Sequence, residues 1–176
     1  MRYKILITLV LAVSAQVAFG DPDADLMPGG KAEQRCADSS LVWRTANKTN
    51  YTSYPEPGSE ECIFYNGCYW EGKFTACGDA RKMPESWVES INIAAVFPMF
   101  DALANHELCI RKGDKVMIVN VIDSCGDSDC DGCCTENQGD AEALIDLESY
   151  TNARWGEADS PIEWADLGER VPGLCD

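Results

Sequence analysis

The stretch DSCGDSDCDGCCTENQGD, from Asp123 to Asp140, gathers four cysteines and five aspartates. Three kinds of chemistry can use such a set. Thiolates at Cys125, Cys130, Cys133 and Cys134 are spaced to suit a tetrahedral zinc site. Carboxylates at Asp127, Asp129 and Asp131, followed by Gly132, match the first half of an EF-hand calcium loop. The twelfth position of that loop is Gln138, where a bidentate Glu should close the shell, so calcium here is a weak candidate. The third option is a loop tied by disulfides, with its acids facing water.

Compartment decides among them. Residues 1–20, MRYKILITLVLAVSAQVAFG, begin with Arg2 and Lys4, run through an apolar core from Ile5 to Val13 and end on Ala18-Phe19-Gly20. That is the pattern of a secretory signal peptide, and its core is too short to span a bilayer well. A secreted, extracellular chain matures in an oxidising space, where thiols pair. The ten cysteines are Cys36, Cys62, Cys68, Cys77, Cys109, Cys125, Cys130, Cys133, Cys134 and Cys175. Their even number predicts five bridges, but about nine hundred pairings are open and spacing does not choose among them. Adjacent Cys133 and Cys134 are poorly placed to bond each other. They are predicted to take different partners and to staple the loop to two places in the fold. The disulfide-tied loop is therefore the favoured reading, and no cofactor is expected.

The chain has 14 basic and 30 acidic residues. Without Arg2 and Lys4 the balance is 12 against 30, a net charge of −18. Such a surface repels nucleic acid and anionic membranes. Neutral polysaccharides, cationic polymers and cationic proteins remain as partners. Residues 21–61 are polar and turn-rich and are predicted to form an irregular arm tied down by Cys36. Two sequons, Asn47-Lys48-Thr49 and Asn50-Tyr51-Thr52, lie within it and predict exposed, glycosylatable asparagines in a eukaryotic host.

From Cys62 to Asp176 the pattern is that of one folded domain. Short strands are predicted over Tyr69–Ala76, Ile91–Phe97, Lys115–Ile122, Ala143–Leu147 and Pro161–Ala165. The turn at Gly113-Asp114 leads into the third of these, and a helix over Glu148–Trp155 ends at Gly156. Many short strands, one or two short helices and many turns predict an all-β fold, a small closed barrel, with a disulfide-rich α+β fold as the alternative.

The order of certain fragments points further. Thr75-Ala76-Cys77-Gly78 precedes a buried strand, then Val119-Asn120-Val121-Ile122-Asp123-Ser124-Cys125, then Leu144-Ile145-Asp146-Leu147, a helix ending Trp155-Gly156, and Ile162-Glu163-Trp164. In order and spacing this resembles the double-psi β-barrel superfamily, which includes expansins, barwin-like proteins, rare-lipoprotein-A-like proteins and barrel-type endoglucanases. The resemblance covers roughly Cys62 to Leu167 and implies a six-stranded barrel. It implies that Asp146 and Asp123 are the acidic residues of an open polysaccharide groove, with Thr75 supplying a hydroxyl. Asp79 stands where lytic transglycosylases of this kind place a glutamate. Their histidine has no counterpart, because the comparable run is Ala94-Ala95-Val96-Phe97. His106 is expected to be solvated in a polar loop. The chain ends at Asp176, soon after the last strand, so the second domain of full expansins is expected to be absent.

Apolar neighbours such as Ile145 and Leu147 raise the pKa of a carboxyl, which suits Asp146 to donating a proton. Hydrolysis needs a second carboxylate, for which Asp123 and Glu71 are the candidates. Among the tryptophans, Trp70 is expected to line the groove as a stacking surface and Trp164 to be core. Two readings stand. In one, a monomeric expansin-like protein binds and loosens cell-wall polysaccharide without efficient hydrolysis. In the other, a non-catalytic module binds a secreted protein, for example as a protease inhibitor, through the disulfide loop or the arm. A weak glycoside hydrolase or lytic transglycosylase is the third.

Overall fold

The computed structural model describes residues 31–78, 80–169 and 173–176. The expected signal peptide and Asp79 lie outside the described residues. Six strands form the fold: β1 (Arg44–Tyr51), β2 (Ile93–Phe97), β3 (His106–Lys112), β4 (Lys115–Ser124), β5 (Ala143–Glu148) and β6 (Ser160–Glu169). They close in the order β1-β5-β2-β4-β3-β6. β1 runs parallel to β5 and β2 parallel to β4, and the other neighbours are antiparallel. Exchanging the first three strands with the last three returns the same order and the same parallel pairs. This closed, mixed, six-stranded barrel fits the double-psi arrangement and leaves no strand edge unpaired.

The core follows from period-two alternation. Inward positions along the strands are Ala46, Ala94 and Val96, Leu108 and Ile110, Met117, Val119 and Val121, Ile145 and Leu147, and Ile162 and Trp164, all buried in one cluster. Strand β4 is covered on both faces, because Ile118 and Ile122 pack in two smaller clusters outside the barrel. That is why it reads as an uninterrupted apolar run.

Helices around the barrel are short: α1 (Lys31–Cys36), α2 (Glu60–Phe64), α3 (Gly67–Trp70), α4 (Glu85–Ser90), α5 (Phe100–Leu103), α6 (Cys133–Gln138) and α7 (Ser149–Trp155). They outnumber the one or two expected. Helix α7 matches its prediction, ending at Gly156 in the left-handed region at φ 71°.

Three expectations are corrected. The segment read as an irregular arm contains β1, a barrel strand between β5 and β6. Its inward position Lys48 is buried, with Nζ satisfied by Asn152 Oδ1 at 2.7 Å, Glu157 O at 3.0 Å and Asp159 at 3.1 Å. A lysine inside and Asn and Thr outside hide the apolar alternation that marks a strand. The sequon backbone is therefore part of the sheet; Asn47 Nδ2 donates to Asn137 O and Gln138 O rather than standing free, while Asn50 is exposed as expected. Tyr69–Ala76 is not a strand but the end of α3, an isolated bridge at Lys73 and a 3-10 turn over Thr75–Cys77. His106 begins β3, with Nδ1 2.9 Å from Asp166 Oδ1, instead of lying in a loop.

All ten cysteines are bridged, as Cys36–Cys109, Cys62–Cys68, Cys77–Cys175, Cys125–Cys134 and Cys130–Cys133. Cys133 and Cys134 do take different partners, but both partners lie in the same loop. The loop is knotted on itself, not stapled to two distant places. The bridges of sequence separation 73 and 98 each contribute about 4–5 kcal/mol by chain entropy, the local ones about 2 kcal/mol.

Candidate functional site

A groove of about 460 Å³ crosses the outside of the barrel. Its floor is one row of residues in register across four neighbouring strands. Thr49 of β1 pairs with Asp146 of β5, which pairs with Ala95 of β2, which pairs with Asp123 of β4. Asp146 is placed by simple alternation, since its neighbours Ile145 and Leu147 point into the core. Asp123 is placed by an irregularity. Ala94 pairs with Val121 and Ala95 with Asp123, so Ile122 is one extra residue on β4. That bulge resets the alternation, keeping Val121 in the core while Asp123 joins Ala95 on the groove face. Flanking Ala95 from opposite sides, the two aspartates have Cα atoms two strand spacings apart, about 9–10 Å. The small side chain between them leaves the floor open.

The two carboxyls are held differently. Asp146 accepts one hydrogen bond, from Thr49 Oγ1 at 2.7 Å. Asp123 Oδ1 accepts three, from Thr75 Oγ1 at 2.9 Å, Thr75 N at 3.2 Å and Ser124 N at 3.0 Å. The 3-10 turn that presents Thr75 closes on Gly78, whose φ of 84° suits glycine. Cys77–Cys175 anchors that turn. Behind Asp146, the buried Glu148 caps α7 by accepting from Tyr150 N at 2.7 Å and also takes the Ser53 hydroxyl at 2.9 Å. This fixes the strand-to-helix step.

Both aspartates keep part of their surface open to the groove, yet the protein around them penalises their charge. Burial pushes Asp146 up to about 7, against the Thr49 hydrogen bond and with help from Glu61, Asp159 and Asp123. Burial raises Asp123 to about 6, while the hydrogen bonds from Thr75 and Ser124 hold it down. The Tyr51 hydroxyl is buried against Asp123, outside ordinary hydrogen-bond geometry, and burial raises its pKa well above the usual phenol value. A pair of carboxyls with environments this different can act as proton donor and as fixed acceptor in mildly acidic to neutral water.

Of the residues singled out in the sequence, Asp146, Asp123, Thr75 and Trp70 all line this groove. Glu71 does not, and pairs with Lys82 at the surface. Trp164 is core, as expected. The indole N–H of Trp70 is buried with no acceptor in the protein. Sequence reasoning missed Thr49, Tyr51, Glu61 and Asp159, all on the groove wall or floor. The signal available for the first two was alternation of Thr45, Asn47, Thr49 and Tyr51 along β1, obscured by Lys48.

The metal readings of the knotted loop fare as follows. Cys125, Cys133 and Cys134 lie close enough to share an ion, but their sulfurs are spent in disulfides. Asp127 is occupied as a cap, accepting from Thr135 N at 2.9 Å and from its hydroxyl at 2.5 Å. Those bonds hold Asp127 below the ordinary aspartate pKa. Among the described residues, Asp127, Asp129 and Asp131 do not converge on one point.

No family model matches the sequence, and no curated protein matches it. Among solved structures, a crystal structure of apo expansin from Clavibacter michiganensis is similar, at 15% identity and a TM-score of 0.41. The similarity covers 74% of this chain and 52% of that one, so the chain spans about half the length of the structure it matches. The barrel's own strand order, with its two interlocked halves and fully oxidised cysteines, makes this chain a disulfide-rich, closed, six-stranded mixed β-barrel.

Proposed function

We propose that this is a secreted protein whose groove binds a cell-wall polysaccharide and loosens it without efficient hydrolysis. The observation that carries the reading is the in-register row Thr49–Asp146–Ala95–Asp123 on the floor of an open groove that Trp70 borders. A glycan strand laid along that floor meets carboxyl oxygens that accept its hydroxyls and aromatic surface for the apolar faces of its rings. Asp146, near neutrality in its titration, both donates and accepts at mild pH. Polymer-to-polymer hydrogen bonds are exchanged for polymer-to-protein ones, and no covalent bond needs to break.

Inefficient hydrolysis follows from Asp123. Glycoside hydrolysis asks its second carboxylate to act as nucleophile or to activate water. Three donors fix Oδ1 of Asp123 in place, so its carboxylate has little freedom to follow a reacting sugar. Full oxidation of the cysteines suits an extracellular site of action, and no helix among the described residues is long and apolar enough to cross a membrane.

The test is adsorption of the protein to insoluble wall polymers, paired with a reducing-sugar assay. The expected result is retention on at least one polymer with little sugar release, lost in Asp146→Asn. Abundant release from a soluble glucan, abolished by the same change, replaces loosening with hydrolysis.

A second reading, protein binding, draws on one observation. Ile63, Phe64, Tyr65 and Tyr69 are 63%, 63%, 44% and 67% exposed around the Cys62–Cys68 bridge. A cluster of this kind marks an interaction surface. If it is the working surface, Phe64→Ser abolishes capture of a secreted partner such as a protease while Asp146→Asn leaves capture intact.

A further inference from the structure

We infer that the groove prefers a glycan carrying free amino groups, an amino-sugar polymer that is at least partly deacetylated, over its uncharged counterparts. The inference rests on the glycan reading above and names the class of polymer. Carboxyl groups line the channel: Glu61 on the wall that carries α2, Asp129 at the knotted loop, and Asp123 and Asp146 on the floor, while Asp159 beyond α7 is paired with Lys48. Against these, the described residues of the groove lining include one cation, Lys73. Its Nζ lies 4.6 Å from the centroid of the Tyr69 ring and 5.7 Å from that of Trp70. The nearby Lys48 is buried beneath the floor and committed to Asn152, Glu157 and Asp159.

The physical consequence is a sheltered channel with a negative field, where charges are screened less than on an open surface. An uncharged glycan laid in it displaces water from the carboxyls and supplies no charge in return. A glycan with an ammonium group on its rings returns a charge-assisted hydrogen bond for each carboxylate it meets. The upward shift of Asp146 comes in part from Glu61, Asp159 and Asp123, a repulsion that a bound cation relieves. The aromatic surface of Tyr65 and Trp70 in the same lining suits flat sugar rings better than an extended basic peptide.

The experiment is a titration of the protein, near neutral pH, where the groove carboxyls carry charge, with hexamers of glucosamine, N-acetylglucosamine and glucose and with a lysine hexapeptide. It is read by calorimetry and by tryptophan fluorescence. We expect the glucosamine hexamer to bind about tenfold tighter than either neutral sugar, with the advantage eroded at about 0.5 M salt. Glu61→Gln and Asp129→Asn each reduce that advantage several-fold, while Asp114→Asn, in the exposed β3–β4 turn, leaves it unchanged. Equal binding of all three sugars overturns the inference and leaves the groove's glycan reading standing. An equal loss in Asp114→Asn assigns the preference to the protein's overall acidity and overturns it too. Tighter binding of the lysine peptide gives the channel to basic protein segments, and binding of no sugar at all removes both this inference and the reading beneath it.

Discussion

The two ends of the groove floor hold the same side chain in opposite ways. On the β5 side, Asp146 has one hydrogen-bond donor, a threonine hydroxyl, and acidic groups around it. On the β4 side, Asp123 is gripped by two backbone N–H groups and a hydroxyl, next to a turn that a disulfide anchors. Burial raises the titration of both, and the fuller set of donors leaves Asp123 at about 6 against about 7 for Asp146. The contrast separates a carboxyl free to exchange a proton or a hydroxyl partner from one that holds the fold. Equal burial does not make equal roles. The number and kind of donors decide.

The sharpest break in that contrast is Asp146→Asn. Any proton-donating activity should fall about a hundredfold or more, because a positioned acid group contributes on that order, and polysaccharide binding should weaken about tenfold, as loss of one charged hydrogen-bond partner does. Circular dichroism and thermal melting should show an unchanged fold. Asp123→Ala should do the reverse. It leaves half-buried Ser124 N without its acceptor, while exposed Thr75 turns its donors to water, and should cost about 1–2 kcal/mol of stability, read from denaturant melts.

The pH dependence of stability is the next largest effect. Both carboxyls titrate higher folded than unfolded, so their contribution is fully present below about pH 4, the ordinary aspartate range. It is lost as pH rises through about 6 for Asp123 and about 7 for Asp146. Stability should therefore decline from mildly acidic to neutral pH by about 2 kcal/mol, allowing for partial solvent screening. Asp146→Asn should flatten the upper part of that decline. A melt series showing stability that increases across this range would exclude buried, raised carboxyls.

The smallest effect should come from Thr49→Val. Removing the one bond that lowers Asp146 should raise its titration by up to about one unit, worth about 1.4 kcal/mol. The activity profile should move to higher pH by the same amount while Asp123 is undisturbed. A shift confined to Asp123, followed by NMR of the carboxyl carbons, would contradict the assigned pairing.

Several elements could be read along the chain because their signal is local. Strands β2, β4, β5 and β6 are short β-branched or apolar runs with turn residues at their ends, and α7 carries its own glycine stop. Strand β1 escaped because its inward lysine is satisfied by groups from α7 and the loop beyond, more than a hundred residues away in sequence. Strand β3 escaped because His106, Glu107, Arg111 and Lys112 flank a short apolar centre. At the groove, Asp146 and Asp123 were marked by motif and by a strand end. Glu61 and Asp159 carry no motif and become neighbours only when the barrel closes.

From the chain alone came the apolar alternation of most strands, the even cysteine count and the strong acidity. All three act over a few residues or over composition, so they survive without a fold. Closure of the barrel, the β4 bulge that turns Asp123 outward and the alignment of Thr49, Asp146, Ala95 and Asp123 in one row were decided by tertiary structure. So were the titrations of the two aspartates. The cost of a charge depends on the dielectric and donors that surround it in space, and strand pairing, not sequence distance, sets those surroundings.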